Sequence, residues 1–399
     1  MFNKTQVKKL KTLLSGIVVT ASCMQLQAQV LQPGSDKAIL QTKQGSIVEL
    51  PGFLTEKIDK INYQKIVLPG PQFIISDDPE YIRVPEAIAL KEAVVPGAVR
   101  LYLYNVNGVK EPAKIDRKII AVLKNTGKQT MHLRMLKYSS QKPSLNYFQI
   151  GKQGLADYFA SNGSVVIRSI APGKSISIDE KLDKHIVKYD ELVHGFYEFV
   201  IDQPGEISVV QAAPGTPVQV AADKIKNIIP FGHANAGRGI FGVSNYKVLN
   251  DKVVDTKDGV VQLMLADGAT DPWVVGKESH SGKIAKLAGN YGVMYDVELK
   301  WKSTDGKGLA LVTWNSRSAD NQWCGGMAAS IVVSGGLFPE GIIQLPKDRL
   351  VTKKAPEAIL IQVFKPSADG SEQTIKLKYS PPGASCLPTP LIFIPIDLK

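Results

Sequence analysis

Two acidic segments stand out among the 37 aspartates and glutamates of this 399-residue chain. They are Asp77-Asp78-Pro79-Glu80 and Asp267-Gly268-Ala269-Thr270-Asp271-Pro272-Trp273. Carboxylates in a turn suit a hard cation, and an aromatic face beside them suits a pyranose ring. Neither segment has the twelve-residue spacing of a calcium loop, and aspartates that cap turns have the same composition. Glycoside hydrolysis asks for two carboxylates about 5 to 9.5 Å apart. For that role Asp267, Asp271 and Glu298 are the candidates, with Trp273 as the sugar platform. These four are the candidate ligand-binding residues; none is assigned a catalytic role.

The other reactive residue types are arranged in ways that exclude familiar chemistries. The five histidines, His132, His185, His194, His233 and His280, form no His-x-His or His-Glu-x-x-His pair, so spacing offers no zinc or copper site. His132 reads as solvent-facing with Arg134. His194 and Glu198 share one strand face, opposite Tyr197, Phe199 and Ile201, and read as a solvated pair. The nucleophile elbow Gly-x-Ser-x-Gly is absent. Gly276 to Lys283 imitates a phosphate loop, but five residues separate Gly276 from Gly282 and Ile284 stands where Ser or Thr must reach magnesium. No metal, nucleotide or other cofactor is expected.

The amino terminus bears on location. Lys4, Lys8, Lys9 and Lys11 precede an apolar run from Leu13 to Ala21, and Leu26 and Ala28 suit the −3 and −1 positions of a cleavage site. Residues 1–28 therefore read as a signal peptide, their apolar run being too short to span a bilayer. Thr20-Ala21-Ser22-Cys23 offers a second exit, with Cys23 lipidated, although such boxes usually start with Leu. Leu387-Pro388-Thr389-Pro390-Leu391 lacks the Gly and the tail of a sortase signal. Loss of the leader's four lysines takes the formal charge from +11 to +7. The remaining lysines are scattered among acids, which fits a solvated surface. Nucleic acid is not an expected partner of an exported chain; an anionic wall polymer or surface polysaccharide is. Cys324 and Cys386 remain after cleavage and can form one disulfide or stay as reduced, buried thiols; a catalytic Cys324 is the third reading, with no nearby His-containing motif to support it. A bond between them would close a loop worth roughly 4 kcal/mol of chain entropy.

The elements that must position these groups read almost wholly as β. Val99 to Val106, Ile115 to Lys124, Met131 to Tyr138, Val165 to Ile170, Ser175 to Asp179, Gly195 to Ile201 and Ile207 to Ala212 read as strands, with one helix around Ile150 to Ser161. Asn125-Thr126-Gly127 and Gln203-Pro204-Gly205 read as hairpin turns. Tyr291, Val293, Tyr295, Val297, Leu299 and Trp301 alternate with polar residues as one long half-buried strand. Asp305-Gly306-Lys307-Gly308 leads from it to Leu309–Trp314, and Asp369-Gly370 joins Ile359–Phe364 to Ile375–Tyr379. The expected fold is all-β: an extended arm over 29–97 packed on the first domain, an immunoglobulin-like sandwich over 98–222, and a second antiparallel sandwich over 223–399. The boundary falls at Ala213-Pro214-Gly215-Thr216-Pro217.

The pieces Pro143-Ser144-Leu145-Asn146-Tyr147-Phe148-Gln149-Ile150-Gly151-Lys152, Glu191-Leu192-Val193-His194-Gly195-Phe196-Tyr197, Asn290-Tyr291-Gly292-Val293 through Trp301-Lys302-Ser303 and Asp305-Gly306, and Cys324-Gly325-Gly326-Met327-Ala328-Ala329 resemble an uncharacterised family of exported bacterial proteins. Its members are often labelled with the copper amine oxidase N-terminal, or stalk-domain, name. The resemblance spans roughly Ser76 to Val333 and implies a bacterial surface setting without an activity. Amine oxidase chemistry needs a Tyr in Asn-Tyr-Asp/Glu and three copper histidines. Here Asn146-Tyr147 precedes Phe148, Asn245-Tyr246 precedes Lys247 and Asn290-Tyr291 precedes Gly292, so the label implies a non-catalytic stalk. The resulting expectation is an exported envelope or extracellular protein that binds or supports, with a secreted polysaccharide or peptidoglycan hydrolase as the alternative. A third expectation is a calcium-dependent adhesion module.

Overall fold

The computed structural model describes residues 34–50, 58–232, 237–313, 329–346, 357–385 and 387–399. The leader, Cys23, His233 and both Cys324 and Cys386 lie outside these residues. Among the described residues the fold is all-β, with four sheets of six, nine, four and seven strands and three α-helices. None of the described helices is long and apolar enough to cross a membrane.

Alternation is clearest in Met294–Lys302, where Tyr295, Val297, Leu299 and Trp301 are buried while Asp296, Glu298, Lys300 and Lys302 point outward. The alternating pattern begins at Tyr291, but the strand does not. Asn290 and Gly292 take φ of 49° and 75°, which turns the chain sharply before the strand can start. That turn leaves Tyr291 free to point elsewhere.

The expected hairpins are not hairpins. Lys118–Asn125 lies in the four-stranded sheet and Met131–Ser140 in the nine-stranded one, so Asn125-Thr126-Gly127 arches between sheets. Leu192–Ile201 and Gly205–Ala212 are likewise split, and the two arches are joined where Thr126 N donates to Pro204 O at 3.0 Å. Buried Asn125 holds its arch by donating to Gln129 O and Ile170 O and accepting from Gly127 N. Asp305–Gly308 and Asp369-Gly370 arch in the same way between the seven-stranded and six-stranded sheets. Turn chemistry is common to arches and hairpins, because both need only a reversal with a capped carbonyl.

These arches close two face-to-face packings. Leu101, Leu103, Leu133 and Tyr197 of the nine-stranded sheet meet Ala121, Leu123, Ile207 and Val209 of the four-stranded sheet in one core. Val297, Leu299, Trp301 and Leu377 meet Leu309, Leu311, Ile361 and Phe393 in another. Helices cover three of the remaining faces. α1 (Ser35–Gln41) sets Ile39 on the outside of the six-stranded sheet, and α3 (Val218–Lys224) sets Ala221 on the outside of the four-stranded sheet. α2 (Tyr147–Ala160) lies between the two packings, touching Met131–Ser140 and Leu192–Ile201 on one side and Ser330–Ser334 and Gly341–Gln344 on the other. Gly151 and Gly154 permit this approach, since a methyl on either would overlap Gly383 O or the His194 ring.

Of the expected arm over 29–97, the described residues 34–50 and 58–97 do not pack as an arm on the first domain. Ile47–Glu49 pairs with Glu357–Phe364, Asp59–Lys60 with Val261–Leu265, and Tyr63–Leu68 with Asn245–Asn250, all in the second pair of sheets. Gln72–Ser76 and Ala87–Val94 are integral to the first pair. Strands this short, broken by Pro69-Gly70-Pro71 and Pro85, carry too few residues to show a period. Nor do the sheets stop at residue 222: Arg238–Phe241, Val275–Lys277 and Ile284–Lys286 extend the nine-stranded sheet. Gly276–Lys283, the imitation phosphate loop, is the end of the first of the last two strands, Val275–Lys277, and the turn that leads to Ile284–Lys286.

Candidate functional site

The acidic turn Asp77–Glu80 leaves the nine-stranded sheet at the end of Gln72–Ser76 and is pinned from behind. Fully buried Asn105 accepts from Ser76 Oγ at 2.8 Å and donates to Pro79 O at 2.9 Å. Val106 N donates to Glu80 O at 2.6 Å and Asp77 N to Gly237 O at 2.7 Å. Facing the turn is the start of α2, capped where Gln149 N donates to Asn146 Oδ1. Tyr147 Oη donates to Asp190 O at 2.8 Å and lies 3.1 Å from Tyr81 Oη, which fixes its ring. Tyr291 enters from the turn before Met294–Lys302. Gly383 arrives from the far end of the chain, its N donating to Tyr102 Oη at 2.6 Å.

Together these segments form an open pocket of about 600 Å³ lined by Asp77, Glu80, Tyr104, Tyr147, Phe148 and Tyr291, with Leu145 at its rim. Burial pushes the Asp77 carboxyl well above the usual carboxylate range, and the charges of Glu80 and Asp78 push it further. Burial raises Glu80 too. It also lifts the Tyr291 phenol to about 12, with Asp77 and Glu80 adding to the effect. Carboxyls that hold their protons can donate as well as accept hydrogen bonds, and flanking rings offer apolar faces. Such a lining can hydrogen-bond hydroxyl groups and pack against an apolar ring face.

The residues favoured on sequence grounds are placed differently. Asp271 is fully buried, accepting from Tyr295 Oη at 2.6 Å and Ala266 N at 2.7 Å and pairing with Lys65. Asp267 accepts from Asp271 N at 2.7 Å and Ala269 N at 3.0 Å. Burial pushes Asp267 up, but those two amides, the Thr270 hydroxyl and the Lys60 ammonium together outweigh it and hold the carboxyl below its usual range. Trp273, half-buried, lays its indole over Gly268, where a side-chain carbon would collide with the ring. Glu298 points outward from its strand and pairs with Lys247 at 3.1 Å, on the opposite face from Tyr295 and Asp271. Asp267, Asp271 and Trp273 share one loop; Glu298 does not join them. Among the described residues, no group of three or more His, Cys, Asp or Glu stands at metal-holding spacing.

His194 and Glu198 are not a solvated pair. Both lie beneath α2, with His194 1 % exposed and edge-on to the Tyr102 and Tyr104 rings. Glu198 accepts from Arg100 and from Tyr158 Oη at 2.8 Å. Neither ring nitrogen of His194 has a protein partner, and burial pushes the imidazole down to about 3. The unfolded chain therefore binds a proton that the fold excludes, so stability falls as pH drops below the ordinary histidine value of 6.5. His194→Phe is expected to flatten the acid limb of unfolding free energy between about pH 6 and pH 4, with urea midpoints at each pH as the readout. An unchanged limb rules this origin out. His132, by contrast, is solvent-facing as expected, 2.6 Å from Asp202.

Sequence reasoning singled out Asp77–Glu80 but missed the aromatic walls. A signal was present, because two of the resembling segments, Pro143–Lys152 and the one opening at Asn290-Tyr291, supply Leu145, Tyr147, Phe148 and Tyr291 to this single cavity. No protein-family model matches the chain, and a search of curated proteins finds no match. Among solved structures it is similar to the PBSX exported protein XepA, at 11 % identity over 77 % of this chain and 86 % of that one. The TM-score of 0.16 carries no argument about fold or function.

Proposed function

We propose that this chain is an exported protein of the bacterial envelope or extracellular space, acting by binding, and that the pocket beside Asp77 and Glu80 takes a saccharide of a wall or surface polymer. One observation carries the reading: two carboxyls whose titration is shifted upward converge with Tyr104, Tyr147, Phe148 and Tyr291 on one pocket. Export rests on the basic, apolar and small-residue order of residues 1–28, with lipid attachment at Cys23 as its variant. The resemblance to exported stalk-domain proteins points the same way. Each pair of packed sheets is read as an immunoglobulin-like sandwich that holds the pocket at the junction with α2.

A secreted hydrolase is the second reading, favoured by the upward shift of the Asp77 and Glu80 carboxyls, the direction a general acid requires. Both readings are tested by incubating the purified protein with washed cell walls, peptidoglycan and insoluble polysaccharides, then measuring bound fraction and released sugar in the same tubes. Binding without release is expected. Tyr147→Ala should weaken it about tenfold and Asp77→Asn should alter it while leaving the thermal unfolding midpoint within a few degrees. Time-dependent release abolished by Asp77→Asn would establish the hydrolase; absence of binding to every polymer would remove the saccharide reading.

A further inference from the structure

The pocket brings two carboxyl groups together, those of Asp77 and Glu80. Among the described residues, neither Asp77 nor Glu80 has a cationic partner, and the groups that perturb Asp77 are the acids Glu80 and Asp78. Among the described residues, the ionisable groups that feel their charge also include the phenols Tyr102, Tyr104, Tyr147 and Tyr291, with Asp190 behind Tyr147. Arg83 stands over the Tyr81 ring, 5.5 Å from its centre, and is not among the lining residues. Unpaired carboxylates out of water are costly, and they are relieved either by protons or by a cation brought in from outside. The ring walls favour the same visitor, because the faces of Tyr and Phe attract ammonium groups. The start of α2 opposes it with about half a positive charge, which two carboxylates outweigh.

The geometry points to a ligand that carries an ammonium group, set between Asp77 and Glu80 with its carbon skeleton against Tyr147, Phe148 and Tyr291. Resting on the saccharide reading above, the ligand class is an amino sugar with a free amine, as in a de-N-acetylated wall or surface polysaccharide. A cation between the two carboxyls favours their charged forms, so binding releases protons and tightens as pH rises.

Isothermal titration of the whole protein at pH 6 tests this with four probes: trimers of glucosamine, N-acetylglucosamine and glucose, and cadaverine as a cation without a ring. The glucosamine trimer is expected to bind at least about tenfold more tightly than the two neutral trimers. Its heat should shift with the buffer's ionisation enthalpy as protons leave. In the Asp77→Asn, Glu80→Gln double variant, checked for an unchanged melting midpoint, the preference and the buffer dependence should both vanish. Equal binding of the three trimers overturns the ammonium inference and leaves the saccharide reading standing. Binding of cadaverine with no trimer bound upholds the ammonium site and removes the saccharide reading. A preference that survives in the double variant, or no binding by any probe, overturns the inference.

Discussion

Asp271→Ala is expected to lower the free energy of unfolding by about 3–5 kcal/mol, read from urea midpoints at neutral pH. The carboxylate has no exposed surface, and every contact it makes is internal. Its removal strands the Lys65 ammonium, 17 % exposed and held 4.2 Å from the centre of the Tyr246 ring, with no other carboxylate paired to it. It also deprives Tyr295 Oη of its acceptor and frees Ala266 N, which the carboxylate holds in place at the left-handed φ of 56°. Tyr295→Phe leaves Lys65 paired, removing only the donor to Asp271 and the acceptor of Asn290 Nδ2, and should cost about 1–3 kcal/mol. The size of the Asp271 effect separates a structural carboxylate from a functional one. A variant that kept its stability but lost sugar binding would return Asp271 to the site.

Asp271 also illustrates what a sequence can and cannot disclose. Its type and its neighbour Trp273 mark it as unusual, yet burial, which decides its role, depends on Lys65 and Tyr295 from other strands. Met294–Lys302 was readable because one of its faces is polar. Gly97–Asn107 shows the opposite limit: it is buried along nearly its whole length, so its apolar run identifies a strand without saying which sheets flank it. The same ignorance turned arches into hairpins at Asn125 and Pro204, since only sheet membership distinguishes them. The pocket was half visible. Asp77 and Glu80 are adjacent in sequence, but Tyr147, Tyr291 and Gly383 come from turns and helix ends scattered over the rest of the chain. No spacing rule reaches across such distances, and two of those positions depend on backbone turns at Gly292 and Ala384 with φ of 75° and 61°.

Arg238→Met should cost about 3–5 kcal/mol at pH 7, and the cost should shrink in acid. Arg238 and Glu278 are both fully buried and stand 3.1 Å apart, Arg238 also donating to Ile229 O at 2.8 Å. Glu92 lies beside them on Ala87–Val94, accepting from Ser279 N at 3.0 Å and from Ser279 Oγ, so the cluster ties the four-stranded sheet to the nine-stranded one. Burial pushes Glu278 up, but the Ser281 donors and Arg238 outweigh it and hold the carboxyl below its ordinary value of 4.5. Glu278 thus contributes stability above that pH, lost as pH falls through its folded value. Burial wins at Glu92, where the Ser279 donors and Arg238 only partly offset it, so that carboxyl is raised and its contribution is lost as pH rises. The two slopes oppose each other while the arginine is present. Without it both carboxyls favour their protons, and the variant should lose stability steadily as pH rises above about 4.5, by up to about 1.4 kcal/mol per pH unit for each proton. Urea midpoints at pH 5, 6, 7 and 8 give the slope directly. A deficit identical at all four values would mean that packing, and not charge, sets the cost. Pairing Arg238→Met with Glu278→Leu should recover most of the loss, because it removes the stranded charge together with its partner.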